Sequence, residues 1–123
     1  MFSVEADDNN GLLKISWSDI VSVDEMRECA DQLRPLIADM RPGFRVLGNL
    51  TGLVSMDPAG ASYISAVMDL LAAKQVGFVV RVIPDPRKDI GLNILSYFHY
   101  GPEVRVETYE CLADALQRLS LPE

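Results

Sequence analysis

One histidine, two cysteines and 18 acidic residues are among the side chains of this 123-residue sequence that could carry acid–base, nucleophilic or metal chemistry. His99 sits in Tyr97-Phe98-His99-Tyr100-Gly101, an aromatic segment at an expected helix end, and no partner group is spaced to orient it as a base. Cys29 and Cys111 lie 82 positions apart, which suits neither a disulfide framework nor a paired-thiol metal site. Cys111 opens an expected helix, where a thiol can ionise more readily, but both cysteines read more simply as packed or rim thiols. Zinc would need several further ligands at suitable spacing. Asp7-Asp8-Asn9-Asn10 has the composition of calcium ligands without the spaced loop or its closing glutamate. Gly48-Asn49-Leu50-Thr51-Gly52 lacks the lysine or further glycines of a phosphate-binding loop. Arg87-Lys88 reads as a solvated face. The expectation is a protein without catalytic residues, metal or cofactor.

The segment that stands out is Asn49 to Gly60. A strand runs into an apolar loop carrying Leu53, Val54 and Met56, then into a helix start at Asp57-Pro58-Ala59-Gly60. Aspartate accepts hydrogen bonds from free helix amides, and proline fits the first helical position because no bond is lost there. Amides at such a terminus favour negative charge, which suits an anion or an acidic partner group. The small side chains of Ala59, Gly60 and Ala61 let another chain approach closely. A packing role for the same small residues accounts for them equally well.

The elements that must position this segment follow from periodicity. Phe2, Val4 and Ala6 alternate with polar residues, as do Leu13, Ile15 and Trp17, and the Asp7–Gly11 turn between them predicts a hairpin. Ser22-Val23-Asp24-Glu25 is a capping box opening a first helix. Val23, Met26, Ala30, Leu33, Ile37 and Met40 form its apolar stripe, and Pro42-Gly43 ends it. Pro35 lacks an amide for Asp31, so a kink or break is expected near Leu33-Arg34. Phe44 to Leu50 reads as a buried strand with Gly48 at a close backbone approach, followed by a loop from Thr51 to Met56. The second helix carries Ile64, Val67, Met68 and Leu71, and Gly77 is placed to stop it. Phe78 to Ile83 is the next strand, Asp85-Pro86 opens a third helix towards Tyr97, and Val104 to Tyr109 alternates again. Leu112, Ala115, Leu116 and Leu119 mark a short final helix. The order ββαβαβαβα implies an α/β fold with a mixed, mainly parallel sheet, an N-terminal hairpin and about four helices.

Composition narrows the partners. No repeat or linker divides residues 1–123, so one domain is expected, large enough to bury a core unaided. Eleven basic against 18 acidic residues give a net charge of −7, which opposes nucleic acid or an anionic lipid surface. No apolar run approaches a membrane span, and Met1-Phe2-Ser3-Val4-Glu5 has no signal-peptide character. A reduced, cytoplasmic setting is expected.

With Asn49-Leu50-Thr51 at a strand end and Asp57-Pro58-Ala59-Gly60 opening a helix, the sequence resembles the STAS family of anti-sigma-factor antagonist domains. That family carries Asp-Leu-Ser at the strand end and Asp-Ser-Ser-Gly at the helix start. The strand from Phe78 and the ending Val106 to Leu116 also fit. The resemblance implies a STAS-like fold and a non-enzymatic regulatory module that binds an anti-sigma-factor or kinase-like protein, with a homodimer left open. Met56, Asp57, Pro58, Ala59, Gly60 and Ser62 would then be contact or shape positions. Two departures stand out. The family's second serine accepts phosphate, and its position here is Ala59, which has no hydroxyl; the strand-end aspartate is Asn49. Neither Ser55 nor Ser62 is an equivalent acceptor. A small-ligand or lipid-binding STAS-like domain is the alternative, and an aliphatic cavity would mark it.

Overall fold

The structure is a computed structural model that describes residues 1–83 and 104–120. Phe2–Asp7 (β1) and Leu12–Val21 (β2) pair antiparallel, with Phe2 opposite Trp17 and Asp7 opposite Leu12. Arg45–Met56 (β3), Phe78–Val82 (β4) and Arg105–Tyr109 (β5) then add in parallel, so the sheet order β1-β2-β3-β4-β5 repeats the chain order. Val23–Asp39 (α1) and Ala61–Ala73 (α2) cover one face, and Leu112–Ser120 (α3) packs on the other. The expected mixed sheet and leading hairpin are present. The expected helix from Asp85 to Tyr97, with Arg87, Lys88 and His99, lies outside the described residues.

Alternation decides the two cores. Leu13, Ile15, Trp17, Val46, Leu50 and Val79 face α1 and α2, meeting Met26, Leu33, Ile37, Ile64 and Leu71. The intervening Leu12, Leu47, Phe78, Val80 and Val82 face Ala115 and Leu119 of α3. A strand interior to a parallel sheet is apolar on both sides for this reason, and β4 shows it most fully. Glu107 fastens α3: its carboxylate accepts from Tyr109 Oη at 2.7 Å, Arg118 Nε at 3.1 Å and Arg105 Nη2 at 3.1 Å. The two guanidinium carbons lie 4.8 and 4.7 Å from the centroid of the buried Phe78 ring. Cations over an aromatic face are attracted by the ring quadrupole, more so when shielded from water.

Several expectations are corrected. The break expected as one outcome at Pro35 does not occur, and α1 is one helix from Val23 to Asp39. Leu33 and Ile37 are buried on either side of it, while Pro35 and Asp31 face solvent, where water can satisfy the carbonyl that proline leaves unbonded. The helix stops at Met40, whose amide bonds Ile37 O, before Pro42-Gly43 is reached. Thr51 to Met56 is strand rather than loop. Gly77 does not terminate α2; Gln75 takes the left-handed conformation there, at φ 63°. The expected short final helix is present, with Ala115 and Leu119 buried and Leu116 43% exposed.

The glycines divide by what surrounds them. A Cβ at Gly48 would meet only Val80 O at 4.0 Å, so no backbone approaches it closely, contrary to the sequence reading. It borders a cavity of about 20 Å³ beside Ile15, Trp17 and Met68, room for about one water. A Cβ at Gly77 would lie 2.7 Å from Gly43 O, a backbone atom. Gly48→Ala should therefore stabilise the fold by about 0.5–1 kcal/mol through lower unfolded-state entropy. Gly77→Ala should destabilise it by about 1–3 kcal/mol through overpacking. Urea denaturation midpoints check both signs.

The Tyr109 hydroxyl, then Arg118 and Arg105, hold the Glu107 carboxyl below the ordinary glutamate value of 4.5. A depressed folded-state pKa contributes stability that is full above 4.5 and is lost as pH falls through the folded value. Glu107→Gln should thus flatten the acid limb of stability against pH. Urea midpoints taken from neutral pH through and below 4.5 measure the change in slope.

Candidate functional site

The segment singled out by sequence lies where β2 and β3 outrun the rest of the sheet. Between Ser16↔Asn49 and Ser18↔Gly52, β2 advances two residues while β3 advances three. Between Asp19↔Leu53 and Ile20↔Ser55, β2 advances one and β3 two. Each step is a bulge, and the second leaves Val54 unpaired. Two extra residues restore the original parity, so Val21 and Met56 return together to the core. The irregularity is concentrated at Asp19, a non-glycine residue at φ 60°. A Cβ on Gly52 would sit 3.1 Å from the Ser18 Cβ, so the bulged strands touch closely here.

The chain leaves β3 through one tight turn. Asp57 N donates to Val21 O at 3.1 Å, tying the turn to the end of β2. Pro58–Gly60 forms a single 3₁₀ turn capped by the Asp57 carboxylate, which accepts from Ala59 N at 3.0 Å. The α-helix itself begins at Ala61, three residues later than the proline-at-first-position reading predicts. Gly60 is needed below: a Cβ there would meet Met26 Sδ at 2.7 Å and Cε at 2.3 Å. Only a shift of that flexible thioether would admit a larger residue. At the strand end, Asn49 Oδ1 accepts from Thr51 N at 3.1 Å and from the Thr51 hydroxyl.

The six expected positions therefore separate into two kinds. Asp57, Pro58, Ala59 and Ser62 are exposed on one surface. Met56 and Gly60 are buried beneath it, so they shape the turn and offer no side chain to a partner. The sequence reading of an anion at this terminus meets an obstacle, because the chain's own Asp57 carboxylate already occupies the Ala59 amide. Two residues missing from that reading belong to the same end of the sheet: Ile20 is 69% exposed and Val54 51% exposed, on adjacent strands. The break in alternation at Asp19, where Trp17 leads one to expect an apolar residue, was the available signal.

Groups with chemical potential lie elsewhere. Cys29 is buried under α1, and desolvation pushes its thiol up to about 12. Cys111 is exposed at the residue before α3. Among the described residues, no three His, Cys, Asp or Glu side chains are placed to hold a metal ion, and no helix is long and apolar enough to cross a membrane.

No protein-family model matches the chain, and no curated protein matches it. Solved structures do. The anti-sigma factor antagonist SpoIIAA in its unphosphorylated form superposes with a TM-score of 0.65 at 16% identity, covering 98% of each chain. An anti-sigma factor antagonist from Mycobacterium paratuberculosis gives 0.59 at 18% identity, over 98% of this chain and 96% of that one. A protein of the DUF3478 family from Shewanella loihica, with a SpoIIAA-like fold, gives 0.66 at 16% identity over 97% and 92%. The chain has the STAS-like α/β fold of the anti-sigma factor antagonists along essentially its whole length.

Because its carboxylate caps the turn, Asp57→Ala should cost about 1 kcal/mol of stability. Asp57→Asn, which keeps an acceptor oxygen, should cost less. Urea unfolding of the three proteins checks the ranking.

Proposed function

We propose that this protein is a non-enzymatic regulatory module that docks another protein through the exposed turn Asp57–Ala59, Ser62 and the adjoining tip of β2 and β3. The partner expected from the fold is an anti-sigma-factor-like or kinase-like regulator. The observation that carries the reading is an exposed, rigidly capped turn at the end of β3 in a SpoIIAA-like fold, flanked by the apolar Ile20 and Val54. Exposed apolar side chains beside such a turn are suited to protein contact.

Ala59 gives the module its character. One of the similar structures is SpoIIAA in a phosphorylated form. A phosphate adds close to two negative charges and can repel a docking partner. Ala59 has no oxygen to accept one, so the surface lacks a charge switch at this position.

Ala59→Glu tests the docking surface, using a partner recovered from the native host. A charge forced unpaired into a desolvated contact costs about 3–5 kcal/mol, a hundredfold or more in affinity. Folding should suffer much less, because Ala59 is exposed. Calorimetry of binding, beside thermal melts, gives the answer, and unchanged affinity removes this surface from the interface. Incubation with a kinase-type anti-sigma factor should leave residues 55–62 unmodified by intact and peptide mass.

A further inference from the structure

The turn between β1 and β2 has no part in the docking surface, yet it assembles the components of a covalent reaction. Asn10 is exposed and is followed by Gly11, at φ 59° with no atom within 4 Å of where a Cβ would lie. Asn10 is held from one side: its amide N donates to Asp7 O at 3.2 Å, and its Nδ2 to Asp7 Oδ2 at 2.7 Å. The peptide unit that joins it to Gly11 is held from the other. Arg45 Nη2 donates to Asn10 O at 3.0 Å. The Gly11 N–H makes no hydrogen bond to the described residues, whereas Gly11 O accepts from Arg45 N at 2.8 Å.

We propose that Asn10 is a site of self-modification, in which the Gly11 amide nitrogen attacks the Asn10 side chain and converts it to aspartate or isoaspartate. Base removes the Gly11 N–H proton, and the nitrogen forms a bond to Asn10 Cγ. The Cγ–Nδ2 bond then breaks, and Nδ2 leaves as ammonia after taking a proton from solvent. Water opens the resulting five-membered imide at either carbonyl. No oxidant or reductant is involved. The rate is governed by two features of this chain. Glycine lacks the side chain that would obstruct closure of the ring. The Arg45 guanidinium on Asn10 O stabilises negative charge on the peptide unit that must ionise, as a cation does beside any developing anion. Arg45 is here a positioning residue, and the other charged groups around the turn are Asp7, Asp8 and Lys14.

Conversion also has a structural effect. The Asn10 side chain is the chief reason the Asp7 carboxyl lies below its ordinary value, and a carboxylate in its place sets like charges against each other. The isoaspartate form lengthens the main chain at a turn to which Arg45 is bonded. The same guanidinium donates to Leu119 O, so the change is transmitted to the end of α3.

Ageing the intact protein at neutral and mildly alkaline pH, with peptide mapping of isoaspartate, tests the proposal. Conversion at Asn10 should exceed that at Asn9 and Asn49, rise with pH, and proceed in the folded protein at least as fast as in urea. Retention of the Asn10 amide while Asn9 or Asn49 converts, or protection of Asn10 by folding, overturns it. Arg45→Gln should move the base limb of the rate profile to higher pH. An unmoved limb or faster conversion removes Arg45 from the mechanism. Asn10→Asp should lower the unfolding midpoint, and an unchanged midpoint overturns the structural effect.

Discussion

Everything at the candidate site depends on the pairing of β2 with β3. Among the described residues these are the two longest strands, and only they continue beyond the common body of the sheet. Continuing side by side obliges β3 to absorb two extra residues, which in turn fixes Asp19 in a conformation that side chains other than glycine rarely adopt. The reward is that Val21 and Met56 close the core together and that Val21 O receives the amide of Asp57. The turn bearing Ala59 is thus attached to the sheet itself, with Met26 of α1 pressed against Gly60 from below. A partner docking there would meet a surface ordered before contact, which reduces the entropy lost on binding.

Much of this architecture was legible in the residues, for identifiable reasons. The capping box at Ser22 and Glu25 and the stripe from Met26 to Ile37 are local signals with a fixed period, and both are present in α1. The double-faced apolar run at β4 announced a strand buried on both sides. The end of β3 was harder to read. Thr51, Gly52 and Ser55 look like loop residues, and the bulges erase the alternation by which a strand is recognised. Their pairing with β2 is a tertiary effect with no local signature. At Pro35 the break that local chemistry allows is overridden by burial of Leu33 and Ile37 on either side of it.

Site legibility followed the same division. Asp57 as a cap is a short-range property, and the side chain performs it. Exposure is not short-range: that Met56 turns inward while Val54 turns outward depends on which residue of β3 is left over at the second bulge. The two outward side chains, Ile20 and Val54, come together only because their strands are paired, although they are 34 positions apart in the sequence (54 − 20).

The identity of spatial and chain order in the sheet has a further consequence, for how the molecule is made. Among the described residues each strand lies against the one synthesised just before it, and no later strand is inserted between two that have already paired. As the chain emerges, the β1–β2 hairpin can template β3, and β3 can template β4, with α1 and α2 docking on the growing face. Each parallel pairing still closes a crossover of roughly 25–35 residues, Leu12 with Arg45 and Arg45 with Phe78 among them, so the loop-closure cost is met one strand at a time rather than avoided. Partly synthesised chains would expose one unpaired strand edge at a time, and the next strand to leave the ribosome is the one that covers it.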